Sequence, residues 1–215
     1  PLMMVDHHIL EFHLQELVDT LNLLCDVMNA DEAIIGIKGK NMHLLDKGVV
    51  KSLSGTRVKI KEIPDIYPAG DEVVLTYETT GKIIPEGAIP VMVGVMVINV
   101  ETLFNIYKAV NNSVPVTDKY ITIGGDVPAD ITVVAPVGMK IYDLLQAVGY
   151  GDLKNKEVVN GGPMMGKLVN LETDVVTKTT KGLLVFPKTH SIVQRMKMPV
   201  STAIKRASAA CCNCT

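Results

Sequence analysis

Apolar residues in the first half of the chain switch between helical and strand spacing. Between Leu14 and Met28 they recur every three or four residues, which predicts an amphipathic helix with one buried face. Three further elements are predicted up to residue 60: a strand at 33–37, a helix from about 41 to 53, and a strand at 58–60. This helix–strand–helix–strand order is typical of α/β packing.

The chain then passes through a loop at 64–70 into a helix predicted at 71–79, which ends at Gly81. The apolar run 91–97 predicts a buried segment. A second helix is predicted at 100–110, entered through Asn99 as its N-cap.

After residue 115 the pattern changes to short strands around one helix. The predicted elements are strands at 120–123 and 131–134, a helix at 141–148, a strand segment at 158–160, a turn at 161–163 and a strand at 182–186. We therefore expect three regions, namely an α/β domain at 1–115, a strand-strand-helix domain at 116–188, and a more polar linker at 189–215. The expected fold class is α/β, in the broad sense that includes α+β.

Composition excludes several classes of protein. Nearly half of the residues are apolar (47%), a fifth are charged (20%) and the net charge is -2, which argues against disorder and against a nucleic-acid surface. The longest apolar stretch, 89–100, is too short to span a bilayer and is interrupted by Pro90 and Gly94. The first residues show neither an initiator methionine nor a signal pattern, so we expect this chain to be an internal part of a longer protein.

Three of the four cysteines crowd into the last five residues, while Cys25 stands alone on the apolar side of a predicted helix. Cys25 is therefore expected to be a packed, reduced thiol. Cys211 and Cys214 form a Cys-x-x-Cys pair, which can begin a zinc site, a redox disulfide or an iron-sulfur motif.

The segment from Tyr67 to Glu72 leads into a helix N-terminus, where free backbone amides can bind a polar ligand and Gly70 permits close approach. Asp71 and Glu72 would repel a phosphate, so the loop suits ribityl or ribose hydroxyls. The plain alternative is that both acids compensate the helix dipole. Asn99, ahead of Val100-Glu101-Thr102, offers matching amide and hydroxyl groups, although an isolated asparagine at such a position is more often just a helix cap.

Other polar or soft side chains are expected to have structural roles. His7, His8 and His13 show no metal-ligand spacing and are expected at the surface or at helix caps. Met164 and Met165 follow a Gly-Gly-Pro turn and are expected to pack there. The chain contains no Gly-x-Gly-x-x-Gly or Walker pattern.

Five ordered segments together resemble the family of the Rnf electron-transport complex C subunit and the cobalamin reductase of propanediol utilisation. The segments are Tyr-Pro-Ala-Gly-Asp-Glu at 67–72, Asn-Val-Glu-Thr at 99–102, Gly-Gly-Pro-Met-Met-Gly at 161–166, Val-Thr-Lys-Thr-Thr at 176–180, and the closing cysteines. The likeness covers essentially the whole chain. More distantly, the chain resembles the NADH-binding flavoprotein subunit of respiratory complex I.

This resemblance implies a flavin mononucleotide (FMN) and NADH site. By its pattern, four residues would border the flavin and nicotinamide, namely Tyr67, Gly70, Asp71 and Glu72, and three would hold the flavin, namely Val97, Asn99 and Thr102. One departure is that Ile98 replaces the first of two asparagines in the complex I pattern.

The resemblance also implies a truncated flavin domain followed by a β-grasp domain of the soluble-ligand-binding (SLBB) type at about 118–186. Cys211 and Cys214 would be the first two ligands of a 4Fe-4S cluster, with Cys212 a bystander. The family's glycine-rich flavin loop would lie upstream, with Pro1 the last residue of its Asn-Ala-Ala-Glu-Cys-Glu-Pro segment. We therefore expect this chain alone to be inactive and to bind flavin weakly or not at all.

In the full-length protein, the implied activity is an NADH-dependent oxidoreductase that passes electrons through FMN and 4Fe-4S clusters to an acceptor, such as cobalamin or a membrane redox partner. Expected partners are other redox proteins or complex subunits. Such a protein would be cytoplasmic, held at a membrane through its partners or enclosed in a bacterial microcompartment. The alternative is a non-catalytic module that binds a ligand or partner through the β-grasp domain.

Overall fold

The computed structural model describes residues 3–199 and 201–202. They form two compact units, one of residues 6–115 and the other of residues 3–5 together with the described residues from 116 onward. Both units combine helices with a sheet, which confirms the expected α/β class in its broad sense. None of the helices in the described residues is long and apolar enough to span a membrane.

The unit at 6–115 is built around two parallel strands. In chain order its elements are α1 (Val5–Phe12), α2 (Leu14–Met28), β1 (Ala33–Lys38), a 3-10 helix (Gly39–Leu44), α3 (Lys47–Ser52), β2 (Val58–Ile63), α4 (Glu72–Thr80), a 3-10 helix (Pro90–Val93) and α5 (Val100–Asn112). β1 and β2 pair in register from Ala33 opposite Val58 to Lys38 opposite Ile63. α2 has the predicted bounds, and Cys25 is buried in it as expected.

The single helix expected at 41–53 is wrong. The chain is interrupted at Leu45, which is buried in an extended conformation (φ -83°, ψ 127°). Asp46 then caps a new helix, because its side chain accepts a hydrogen bond from the Val49 amide at 2.9 Å. Burial of Leu45 and capping by Asp46 thus split the predicted helix into a 3-10 turn and the short α3.

The buried run expected at 91–97 is also wrong. Met92 is 72% exposed and Met96 is 56% exposed, and Val97 is exposed as well. Pro90 begins only one turn of 3-10 helix, which Gly94 ends at a φ of +71°. The segment therefore lacks a regular element that could turn its apolar side chains to one buried face.

The second unit contains a five-stranded sheet. Its elements are β3 (Asp118–Gly125), β4 (Ile131–Pro136), α6 (Ile141–Ala147), β5 (Lys156–Asn160), β6 (Lys167–Leu168), β7 (Gly182–Pro187) and α7 (Ser191–Met196). The strand order is β4-β3-β7-β5-β6. The central strands β3 and β7 are parallel and the outer pairings are antiparallel, which is the β-grasp arrangement implied by the resemblance.

The central strand β7 is buried on both faces of this sheet. Leu183 and Val185 pack in a core that includes Leu145 of α6. Leu184 lies on the opposite face in a smaller cluster with Val193 of α7. This two-sided burial explains why β7 reads as a continuous apolar run, as buried central strands do.

Candidate functional site

The carboxyl ends of the parallel strands β1 and β2 open onto a shallow basin. Its volume is about 560 Å³, and its lining residues are Gly39, Lys40, Glu62, Ile63, Pro64, Asp65 and Glu78. In open α/β sheets, ligands bind beyond the carboxyl ends of the parallel strands. The loop at 64–70, which carries the first predicted site residues, starts from this edge.

Lys38, the last residue of β1, and Lys40, in the 3-10 helix that follows, bind the beginning of this loop. Lys38 Nζ lies 3.3 Å from an Asp65 carboxylate oxygen, and Lys40 Nζ lies 2.8 Å from the other. Lys38 Nζ also donates to the Ile66 carbonyl at 3.3 Å. The hydrogen bond from Lys40, followed by that from Lys38, holds the pKa of Asp65 below its ordinary value.

The loop folds into a tight turn before α4, and its Tyr67–Pro68 peptide is cis. The Ala69 amide donates to the Ile66 carbonyl at 3.1 Å, and the Asp71 amide donates to the Pro68 carbonyl at 2.7 Å. Ala69 is fully buried, whereas the Tyr67 side chain is 80% exposed. Burial of Ala69 therefore anchors the turn, while the Tyr67 ring is presented to solvent.

The N-terminus of α4 is open to an approaching ligand. Asp71 is its N-cap, and the side chain accepts from the Val73 amide at 3.0 Å. A β-carbon built on Gly70 would meet nothing within 4 Å, so there is free space above that backbone. Asp71 and Glu72 are both exposed. Capping thus explains Asp71 locally, and the acids remain available to hydroxyl groups.

The N-terminus of α5 carries the other predicted residues. Asn99 is the N-cap, with its side-chain oxygen accepting from the Glu101 amide at 3.1 Å. Thr102, in the first turn, is exposed, and so is Val97 just before the helix. Glu101 is buried, at 4% exposure, beside the positive end of the helix dipole.

The structure thus places the seven predicted flavin-site residues in two groups. Tyr67, Gly70, Asp71 and Glu72 lie together at the start of α4; Val97, Asn99 and Thr102 lie together at the start of α5. The 3-10 helix at Pro90–Val93 contacts α4, and Lys82 Nζ donates to the Val93 carbonyl at 3.0 Å. The predicted metal ligands Cys211 and Cys214 fall outside the described residues.

Each of the two groups by itself offers donors and acceptors that suit hydroxyl groups or the edge of a polar ring. Each helix start offers backbone amides, and the side chains add amide, hydroxyl and carboxylate groups. The space above Gly70 admits a flat ring close to the backbone. The carboxylates of Asp71 and Glu72 disfavour phosphate at the start of α4, so this helix start suits hydroxyl groups and the edge of a polar ring.

The histidines have structural surroundings. His7 contacts the Asn41 side chain at 3.0 Å, and burial is the largest cause that holds the His7 pKa below its ordinary value, although Asp6 opposes this. His13 stacks on Phe104 with ring centroids 4.2 Å apart. Within the described residues there is no group of three or more His, Cys, Asp or Glu side chains that could hold a metal.

Two features were not foreseen from the sequence. The contacts of Lys38 and Lys40 with Asp65 join segments far apart in the chain, so no local motif could indicate them.

The packed turn expected at Met164 and Met165 is wrong, because these side chains are 77% and 91% exposed. The turn closes through its glycines, with the Gly166 amide donating to the Gly162 carbonyl at 2.7 Å, and does not use the methionines.

Comparison with known proteins gives one family match. The family of Nuo51 FMN-binding domains matches residues 1–108. This range contains both helix starts described above.

Individual relatives extend the likeness over the whole chain. The cobalamin reductase PduS of Citrobacter freundii is 36% identical over 214 residues, which is 100% of this chain and 47% of the relative. The C subunit of the Na(+)-translocating ferredoxin:NAD(+) oxidoreductase complex of Acetobacterium woodii is 27% identical over 87% of this chain and 43% of its own length. The C subunit of the ion-translocating oxidoreductase complex of Erwinia tasmaniensis is 32% identical over 83% of this chain and 22% of its own length. The chain therefore spans about half the length of the cobalamin reductase that it matches, and less of the two complex subunits.

Proposed function

The chain belongs to the family of Nuo51 FMN-binding domains, and from this premise we propose that it forms part of an electron-transfer flavoprotein whose FMN lies at the starts of α4 and α5. The observation that carries the proposal is the family match over residues 1–108, the segment that contains both helix starts. The open space above Gly70 supports it, because a flat ring can approach the backbone there.

Each predicted residue has a distinct role in this proposal. Asn99 and Thr102 bind the ribityl hydroxyls, and Val97 contacts the flavin ring through its exposed side chain. Glu72 and Asp71 accept hydrogen bonds from hydroxyl groups of the nicotinamide nucleotide, while Tyr67 covers the ring. When bound, FMN supplies the exchange between two-electron hydride transfer and one-electron transfer. The protein's own task is to orient both rings and to limit access of water to them.

We further propose that NADH is the electron donor and that Cys211 and Cys214 ligate a 4Fe-4S cluster that receives the electrons. For the acceptor, the relatives' names offer a cobalamin or a partner within an ion-translocating complex. We favour cobalamin, because the identity to the cobalamin reductase is 36% over the full chain, against 27% and 32% over parts of it for the complex subunits.

The test uses the protein made from its complete gene, reconstituted anaerobically with FMN, iron and sulfide. NADH should reduce an artificial one-electron dye, and then a cob(III)alamin, with bleaching of the flavin absorbance. Glu72→Ala should raise the KM for NADH by about 10-fold, because it removes one hydrogen bond from NADH to a charged group. Asn111→Ser, an exposed change at the far end of α5, is the matched control and should leave the KM unchanged. Absence of NADH-dependent dye reduction in a flavin-loaded protein would refute the proposal.

A second candidate function rests on the β-grasp unit. Met164 and Met165 stand at the tip of a turn whose glycines are in tight backbone contact, with a β-carbon on Gly166 falling 2.6 Å from the Gly162 carbonyl oxygen. Exposed methionines are typical of adaptable binding surfaces. We propose that this turn contacts a redox partner protein, so that the unit acts as a docking module.

This second candidate is tested with the intact protein. Met164→Ser together with Met165→Ser should weaken binding of a purified partner subunit by at least about 10-fold in a calorimetric titration, because two exposed apolar anchors are lost. The same pair of changes should not alter the midpoint of urea unfolding, since the side chains are exposed. Equal partner affinities for the parent and the double variant would exclude the turn as a docking site.

A further inference from the structure

One carboxylate joins the end of β1 to the loop that carries the predicted flavin and nicotinamide contacts. Asp65 is bound by Lys38 at 3.3 Å and by Lys40 at 2.8 Å, each lysine on a different carboxylate oxygen. Lys38 is the last residue of β1, so its backbone is fixed by pairing with Ile63 of β2. Asp65, in contrast, lies in the loop after β2.

Lys38 also binds the main chain at the point where the loop turns. The Ile66 carbonyl accepts from Lys38 Nζ at 3.3 Å and from the Ala69 amide at 3.1 Å. This carbonyl therefore connects the lysine directly to the turn that ends at Gly70. A shift of Ile66 would move the start of α4, because the next turn bond, from the Asp71 amide to the Pro68 carbonyl, follows immediately.

We propose that Lys38 and Lys40, acting through Asp65 and the Ile66 carbonyl, are positioning residues that hold the loop at 67–72 in its ligand-binding arrangement. This inference rests on the proposed function only for the identity of the ligand. Neither lysine is assigned a contact with the ligand. Their role is to fix the turn so that Gly70 and the carboxylates that follow it are preorganised.

Ordinary surface ion pairs are the competing explanation. Asp65 and both lysines are partly exposed, and exposed pairs contribute little to global stability. Lys38 differs from an ordinary surface lysine because it connects a paired strand to a loop carbonyl. Removing its charge should therefore loosen the loop without lowering the stability of the whole unit. The chain offers a matched control in Lys59, a lysine near the start of β2 whose exposed ion pair is with Glu32, ahead of β1.

The first experiment measures hydrogen exchange in the protein without flavin, in the parent, Lys38→Met, Lys40→Met, Lys38→Arg and Lys59→Met. Methionine keeps most of the length of the side chain and removes its charge. In Lys38→Met, the Ala69 and Asp71 amides should exchange about 3- to 10-fold faster, the effect of losing one charge-assisted hydrogen bond and one exposed ion pair. Lys40→Met should have a smaller effect, Lys38→Arg should restore protection, and Lys59→Met should leave both amides unchanged.

The second experiment measures FMN affinity and NADH kinetics in the same variants, made in the protein from its complete gene. Lys38→Met should raise the KM for NADH by about 3- to 10-fold with little change in kcat, because only the binding arrangement is loosened. Unchanged exchange at Ala69 and Asp71 in Lys38→Met would overturn the positioning role, whether or not flavin binds. Faster exchange in a variant whose KM equals that of the parent would also overturn it. Faster exchange in a protein whose parent does not bind FMN would refute the proposed function and with it the functional part of this inference.

Discussion

Gly36 tests how the site helix α4 is seated on the parallel strands. A β-carbon built at Gly36, in the middle of β1, would lie 2.8 Å from Leu75 Cδ1, 3.3 Å from Thr79 Cγ2 and 3.6 Å from Ile63 Cγ2. Leu75 and Thr79 belong to α4, so the glycine makes the room that this helix occupies. The change Gly36→Ala should therefore press on the helix that begins with the predicted NADH-binding acids.

The expected magnitude follows from these distances. Carbon atoms in contact normally lie about 3.5–4.0 Å apart, so the Leu75 side chain must move by roughly 1 Å. Overpacking of this kind destabilises the folded state by about 1–3 kcal/mol. Replacing a strand glycine by alanine by itself stabilises the folded state by about 0.5–1 kcal/mol. The difference between these two ranges is about 0–2.5 kcal/mol. Leu75 Cδ1 is the end of a flexible side chain, so we expect Gly36→Ala to lower the free energy of unfolding of this unit by an amount in the lower half of that range.

A double-mutant cycle with Leu75→Ala isolates the contact. Removing the leucine end relieves the clash, so the two changes together should cost about 1 kcal/mol less than the sum of the single changes. The chain has no tryptophan. Unfolding is therefore followed by hydrogen exchange of the β1 amides at increasing urea, which also separates this unit from the other one.

The matched control is Gly70→Ala, because a β-carbon there meets nothing within 4 Å and the residue has no positive φ. It should change the free energy of unfolding by less than about 0.5 kcal/mol. If Gly36→Ala stabilises the unit, or if its effect is the same with and without Leu75, then α4 does not sit on β1 as described.

Three further predictions concern the rest of the structure. Gly125→Ala should destabilise the β-grasp unit by at least about 2 kcal/mol in urea unfolding, because the residue has a φ of +97° and a β-carbon would lie 2.3 Å from the Val185 carbonyl oxygen; a neutral effect would contradict this backbone conformation. Leu145→Ala, at a fully buried position, should cost about 2–5 kcal/mol, whereas Val134→Ala, at 52% exposure, should cost less than about 1 kcal/mol, and equal costs would refute the assigned core. His7 has a lowered pKa, so below its ordinary value of about 6.5 the unfolded chain binds a proton more readily than the folded chain does. Stability should therefore fall as the pH decreases through this range and should not depend on His7 above it, and a His7→Gln variant with an unchanged slope would exclude this cause.

The bounds of helices could be predicted from the sequence where several local signals agree. The spacing of apolar residues predicted α2 with its observed bounds. Gly81 correctly marked the end of α4, and Asn99 correctly marked the start of α5. The β-grasp arrangement was implied by resemblance, and its strand order could not have been derived from periodicity. Pairing of β3 with β7 depends on residues about 60 positions apart, on which local spacing gives no information.

Predictions from the sequence are wrong where contacts between distant segments determine the local structure or the burial of a side chain. The break at Leu45 requires burial against other elements, which competes with helical propensity. Met92 and Met96 are apolar and yet exposed, because hydrophobicity alone does not identify the buried face. The contacts of Lys38 and Lys40 with Asp65 likewise exist only once the two strands are paired. The seven flavin-site residues therefore remain predictions that stand on motif resemblance together with two helix starts.

Binding of FMN tests the central proposal most directly. The protein from its complete gene is titrated with FMN, and the affinity is compared with that of Asn99→Ser, which keeps an N-cap oxygen but removes the amide. We predict one FMN per chain, an affinity about 10-fold lower in Asn99→Ser, and an unchanged affinity in the control Asn111→Ser. Absence of FMN binding by the parent protein, or equal affinities in the parent and Asn99→Ser, would contradict the flavin site at the starts of α4 and α5.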